Sequence, residues 1–343
     1  MQFQQQLKIC QQEINKIIEN FFVKKEKEFL DLPKLKEIIF DLHQICAGGK
    51  RLRGFLTKIS YDSFGGERSS DILNFSAGVE LLHSALLIHD DIIDRDAFRR
   101  MNPTLHKKYE KFYPLSTSKE IAQSAANLLS TFGSQLCLET NFSAQRKILA
   151  LSYLRQKLFH TALGEILDIH FSGRKSLGDS EIFKIYTLKT AGYTIVAPFF
   201  CGAILAGAPP SKINFIKSSL VKLGQAFQIK DDLLAVFGVE TATGKPLGSD
   251  LKEGKMTLVF KRMEKFVPKA VRKKVFSLFG KENLTRVQAL EIKNLLLASQ
   301  LNEKVEQEAK NLVKSAKKIF LEFPSQKKKL FLALADFIVK RKE

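Results

Sequence analysis

Apolar residues return along this chain every three or four positions, a rhythm that predicts α-helices. Residues 4–30 set Leu7, Ile14, Ile17, Ile18, Phe21 and Phe22 on one side of such a helix. A second follows Pro33, a favourable first-turn residue, through Leu35, Ile38, Ile39 and Leu42. The pattern continues over residues 71–94, 118–140 and 143–171, with a junction near Thr140 and Asn141. Asp179 and Ser180 open a helix whose apolar run reaches Gly207, and Ala208-Pro209-Pro210 breaks it. Another helix runs from Ser211 to Ala235, and helices resume after Met256. Three stretches fall outside the rhythm: residues 48–54, 99–104 and 243–255. No fixed-period repeat or shift of composition divides the chain, so one all-α domain over residues 1–343 is expected.

Composition agrees with that picture. The chain is 45% apolar, enough for a sizeable core, and its 9 Pro and 19 Gly are few for its length. No stretch reads as membrane-spanning; residues 193–208 come nearest but are short and hold Pro198. No basic region followed by an apolar run marks a signal peptide at the start. Cys10, Cys46, Cys137 and Cys201 lack metal or redox spacing, which suits a reducing cytoplasm. The net charge of +19 fits an affinity for nucleic acid, anionic lipid or phosphorylated small molecules, or simply lysines solvating helix faces. Without a zinc finger, an aromatic RNA-binding signature or a continuous basic arm, no nucleic-acid partner is expected. A transient contact with a membrane surface stays open.

The candidate chemistry begins at the end of the 71–94 helix. Asp90 and Asp94 are four apart and share a face, while Asp91 lies about 100° round the axis. Two carboxylates on one face repel unless a cation joins them, and a hard ion such as Mg2+ suits oxygen ligands. A solvated acidic helix end is the plainer alternative. Near residue 50, Gly48 and Gly49 precede Lys50, Arg51 and Arg53, which could gather an anion or form an ordinary basic turn. Arg99 and Arg100 could pair with the aspartates or grip phosphate. Asp231 and Asp232 form a second acidic helix end roughly 140 residues after the first. The 243–255 loop, with Lys245 and Lys255, could close over phosphate.

Taken in order, residues 49–53, the first aspartate motif with Arg99-Arg100, Lys189-Thr190, Phe227-Gln228-Ile229-Lys230-Asp231-Asp232 and the Gly244-to-Lys255 loop resemble the trans-isoprenyl diphosphate synthases, the polyprenyl synthetase family. The resemblance covers about residues 48–342. It implies a helical bundle around a deep central cavity, commonly a homodimer, condensing isopentenyl diphosphate with an allylic diphosphate. It further implies that Asp90 and Asp94, with Asp91 nearby, hold magnesium, and that Asp231, beside Asp232, holds more. Arg99, Lys189 and Lys255 would contact the allylic diphosphate, and Lys245 would sit over the same region. Lys50, Arg53, His83 and Arg100 match the isopentenyl diphosphate site. Thr190 and Gln228 match polar residues close to the reacting carbons, and the leaving diphosphate would accept the proton.

The chain departs from the family pattern in three places. Ala235 stands where the second motif usually has a third aspartate, Met101 where glycine often follows the paired arginines, and Val259 where proline is frequent. These touch metal holding and rate more than reaction class. In the family, aromatic rings four or five positions before the first aspartate close the floor in farnesyl synthases. Here Leu86 and Ala85 stand there, which implies geranylgeranyl diphosphate; farnesyl or longer products are the alternatives. A related cyclase would not need Lys50, Arg53, His83 and Arg100. A non-catalytic subunit of a heteromeric synthase would not need Asp90, Asp91 and Asp94.

Overall fold

A computed structural model describes residues 3–29, 31–67, 69–100, 102–239, 247–322 and 328–341. The first helices are α1 (Phe3–Glu28), α2 (Pro33–Cys46), α3 (Leu52–Ser63) and α4 (Ser70–Ile93). A two-residue antiparallel ladder, β1 (Phe98–Arg99) with β2 (Asn102–Pro103), leads into α5 (Leu105–Tyr109), α6 (Leu115–Leu138) and α7 (Ala144–Phe171). Next come α8 (Asp179–Ile185), a π-helical run (Tyr186–Val196), α9 (Ala197–Leu205) and α10 (Pro210–Phe237). The remaining helices are α11 (Ser249–Glu253), α12 (Leu258–Phe266), α13 (Lys269–Leu278), α14 (Arg286–Ala298), α15 (Leu301–Glu322) and α16 (Lys328–Lys340). The fold is all-α, as the periodicity predicts.

The chain forms two compact units. One contains Met1–Leu154 with Pro198–Ile213; the other contains Arg155–Ala197 with Asn214–Glu343. In the first, α4 is buried along most of its length, and Ser69 caps it by accepting the Asp71 N–H at 3.0 Å. Its tight neighbour is α6. A methyl group placed on Gly78 would lie 2.5 Å from Cys137 Sγ, and one on Gly133 would lie 2.8 Å from the Gly78 carbonyl. Only glycine at both positions lets the backbones come this close. In the second unit, Gly164 and Gly224 do the same work: methyls there would lie 2.4 Å from Lys189 N and 2.3 Å from Ala191 Cβ.

Two expectations are corrected. Two helices, Ser70–Ile93 and Asp179–Leu205, are long and apolar enough to cross a membrane by length and composition. Their apolar windows are 67% and 78% buried, as core helices are. The 179–207 stretch is also not one uniform α-helix, because Tyr186–Val196 adopts the wider π form. Its last cap bond, Ala197 N–H to Gly192 O, spans five residues. Pro198, one residue on, has no N–H to offer an α-type bond.

Candidate functional site

The C-terminal end of α4 carries three carboxylates where the helix dipole disfavours negative charge. Asp94 caps the helix, its N–H bonded to the Asp90 carbonyl at 2.8 Å, so the four-residue spacing persists. Asp90 and Asp94 each offer a carboxylate oxygen within 4.8 Å of the other's. Both are partly exposed, whereas Asp91 is 5% exposed. Arg99 compensates the acids: its Nε donates to Asp91 at 2.6 Å and its Nη2 to Asp90 at 3.1 Å. Burial pushes the Asp91 carboxyl up to about 7, against the lowering pull of Arg99. A hard divalent cation therefore fits Asp90 and Asp94, whose partly exposed oxygens lie close to each other, better than Asp91, which is buried against the Arg99 Nε.

The same unit gathers cations around the 48–53 turn. Arg51 and Arg100 both take left-handed backbone conformations, with φ of 52° and 51°. The Arg100 guanidinium lies against the two glycines, so that a methyl on Gly48 or Gly49 would sit 3.1 Å from its nitrogens. Burial, and then the charges of Arg53, Arg100, Arg99 and Arg51, hold the His83 imidazole well below its ordinary value. Arg100 is itself lowered by burial and by Arg99 and Arg51. Cations assembled against their own repulsion make a site for a polyanion. Lys50 is exposed at the turn and Arg53 is buried in the first turn of α3.

In the second unit, Lys189 stands on the π-helical run and makes ion pairs with Glu165 at 2.8 Å and Asp168 at 2.7 Å. Thr190 donates its hydroxyl proton to the Gln228 side-chain carbonyl. Gln228 in turn donates from Nε2 to Asp232 at 2.9 Å, and the Tyr186 hydroxyl donates to the other Asp232 oxygen. Tyr186 also accepts the Leu258 N–H at 2.8 Å. Asp232 is 3% exposed, and burial raises its pKa. It is held as a structural acceptor, while Asp231 is the carboxylate that reaches solvent, with its side chain 41% exposed. Arg341 pairs with Asp231 and stacks 3.7 Å from the centre of the Phe227 ring. Lys255 pairs with Glu253 at the end of α11, a short helix bracketed by left-handed Gly248 and Gly254 where a plain loop was expected. Lys245 lies outside the described residues, as does Met101.

Ala85 and Leu86 occupy different faces of α4. Ala85 is 3% exposed and shares the stripe of Gly78, Leu82 and His89, the face turned to α6. Leu86 is partly exposed and shares the face of Asp90. Glu165, Asp168, Tyr186 and Arg341 were not singled out from sequence. The first two carried a signal: carboxylates three apart on one helix face.

The sequence model of the polyprenyl synthetase family matches residues 35–296. The chain belongs to the polyprenyl synthetase family. This synthase is 35% identical over 237 residues to the geranylgeranyl diphosphate synthase of Sulfolobus acidocaldarius, covering 68% of each chain. It is 31% identical to a short chain isoprenyl diphosphate synthase of Methanothermobacter thermautotrophicus, covering 87% of this chain and 88% of that one. Among solved structures it is similar to the geranylgeranyl pyrophosphate synthase of Corynebacterium glutamicum complexed with isoprenyl diphosphate and magnesium. That likeness has a TM-score of 0.87 and 25% identity, over 99% of this chain and 100% of the other. It is an enzyme, a trans-prenyltransferase.

Proposed function

We propose that this synthase joins isopentenyl diphosphate to an allylic diphosphate with Mg2+, giving geranylgeranyl diphosphate as its principal product. The observation that carries the reading is the pairing of two chemistries in one unit: the facing oxygens of Asp90 and Asp94, and the cation cluster around Arg53, Arg100 and His83. Asp90 and Asp94 in one unit, and Asp231 separately in the other, would hold Mg2+, which when bound neutralises charge developing on a departing diphosphate.

The protein's own groups account for the rest. Lys50, Arg53 and Arg100 bind the isopentenyl diphosphate, and neutral His83 donates a hydrogen bond without adding to the repulsion among them. Lys189 and Lys255 serve the allylic diphosphate, each held by carboxylate partners until an anion competes. Thr190 and Gln228 fix each other beside the reacting carbons. The allylic carbon–oxygen bond breaks, the isopentenyl double bond supplies the electron pair for the new carbon–carbon bond, and the proton lost goes to the released diphosphate. Residues 1–343 are read as one polyprenyl synthetase domain.

Leu86, on the face of Asp90, and Ala85 would set how far the tail extends; neither bears an aromatic ring. The Sulfolobus relative, a geranylgeranyl diphosphate synthase, supports that product length. Homodimerisation has a candidate surface: Phe159, Leu163 and Ile166 recur at helical spacing on α7 and are 60%, 39% and 60% exposed. Cys10, Cys46, Cys137 and Cys201 are buried thiols rather than disulfides, which suits the cytoplasm. Ala235 and the hold of Arg341 on Asp231 favour a second reading, a non-catalytic subunit. Incubation of the purified chain with Mg2+, isopentenyl diphosphate and each allylic primer in turn decides between them. A twenty-carbon alcohol after dephosphorylation is expected; no elongation of any primer would leave the subunit reading.

A further inference from the structure

The 48–53 turn has its two glycines and its cations within a few residues, yet nothing in its own sequence fixes its shape. Arg51 sits at its centre and behaves unlike its neighbours. It is 3% exposed while Lys50 before it is exposed, and its φ of 52° is a conformation that a non-glycine residue adopts at a cost. Three elements hold it there. Its Nε donates to Asn15 Oδ1 at 2.8 Å, its Nη2 donates to the Cys46 carbonyl, and its Nη1 lies 4.0 Å from Glu80 Oε2. Glu80, 3% exposed, also accepts the Gly54 N–H at 2.7 Å, which ties the start of α3 to α4.

The first helix reaches the turn a second time. Gln11 Nε2 donates to the Gly49 carbonyl at 2.7 Å. Gln11 and Asn15 are four apart and so share one face of α1. Ile14, fully buried, packs on the same region: a methyl on Gly54 would lie 2.6 Å from its Cδ1. Both polar residues precede residue 35, where the match to the family begins.

We infer that α1 is a positioning element for the isopentenyl diphosphate site, with Gln11 and Asn15 fixing the Gly49 carbonyl and the buried Arg51 so that Lys50 and Arg53 hold their places. Arg51 is a positioning residue and not a ligand, since its guanidinium is committed to Asn15, Cys46 and Glu80. The inference rests on assigning Lys50, Arg53 and Arg100 to isopentenyl diphosphate, and the test separates the two claims.

Asn15→Ala, Gln11→Ala and Asn15→Asp are assayed beside Arg100→Ala, with KM measured separately for isopentenyl diphosphate and for the allylic primer. Asn15→Ala and Gln11→Ala should each raise the KM for isopentenyl diphosphate about tenfold, leaving the primer KM within about twofold. Asn15→Asp keeps an acceptor for Arg51 and should restore most of the loss. Thermal unfolding, followed by circular dichroism, reads stability alongside. A loss of stability with both KM values moving together, or with neither, overturns the positioning role. If Arg100→Ala also leaves the isopentenyl diphosphate KM unchanged, the site assignment itself is wrong. Should Asn15→Ala fail to fold, Gln11→Ala, which removes only one donor from a partly buried contact, carries the same decision.

Discussion

Gly164→Ala is the substitution whose outcome follows most directly from the packing. Position 164 lies in the interior of α7, where alanine is ordinarily the better helix former by about 0.5–1 kcal/mol. Here a methyl group would stand 2.4 Å from Lys189 N and 2.7 Å from Lys189 Cα. Carbon atoms in contact prefer roughly 3.5–4.0 Å, so α7 and the π-helical run must part by about 1 Å. Backbone cannot swing aside as a side chain can. Overpacking of this kind costs about 1–3 kcal/mol, and after the helix-propensity gain a net loss of roughly 1–2 kcal/mol remains. Unfolding followed by circular dichroism should show a Tm lower by about 1–3 °C. The displaced residue is Lys189, whose ammonium depends on Glu165 and Asp168 from that same helix. Because small misplacements are expensive in catalysis, kcat/KM for the allylic primer should fall by about ten- to a hundredfold. Gly178→Ala is the control, since its methyl would meet only side-chain atoms, the nearest Glu181 Oε2 at 3.3 Å. A Gly164→Ala protein with the parental Tm and the parental primer kinetics would refute the close contact and the placement of Lys189 alike.

Asp90→Asn keeps shape and removes charge, so turnover should drop by orders of magnitude with the circular dichroism spectrum preserved; near-normal turnover would remove the metal from Asp90. Ala235→Asp restores an acid one turn beyond Asp231 and should lower the Mg2+ concentration for half-maximal activity, checked by metal titration after chelation. His83 binds its proton less readily folded than unfolded, so its contribution to stability is complete above the unfolded pKa near 6.5 and is lost as pH falls. Between pH 6.5 and 5.5 that loss should reach about 1 kcal/mol, and urea unfolding of His83→Asn should show correspondingly less acid sensitivity. Leu86→Phe puts a ring on the face of Asp90 and should shorten the product towards fifteen carbons. Ala85→Phe sets its ring towards α6 and should lower Tm as well, so comparing the two by chromatography and unfolding tells which position lines the tail's path.

Much of this was readable from sequence because it is local. Ser69, the apolar run and the aspartates delimit α4 at residues 70–93, one residue from the expected 71–94. The four-residue spacing of Asp90 and Asp94 survives because a hydrogen bond within the helix carries it. The π-helical run was not readable, since its register depends on i to i+5 bonding that a 3.6-residue rhythm does not express. Nor were the roles of Arg51 and Arg341. Each is defined by a partner 36 or 110 residues away, and a charge in sequence does not say which carboxylate or carbonyl it will meet. The contrast between Asp231 and Asp232 is of the same kind. Adjacent residues on a helix point about 100° apart, and it is their partners, Tyr186 and Gln228 for Asp232 and Arg341 for Asp231, that distinguish the two.

The central claim is that diphosphate leaves the allylic substrate in step with consumption of isopentenyl diphosphate. Measuring released inorganic diphosphate from geranyl or farnesyl diphosphate, with and without isotope-labelled isopentenyl diphosphate, tests it directly. The account predicts one diphosphate released for each labelled five-carbon unit incorporated, and almost none when isopentenyl diphosphate is withheld. Equal release in its absence, with no label entering product, would mark a cyclase or hydrolase and contradict the account.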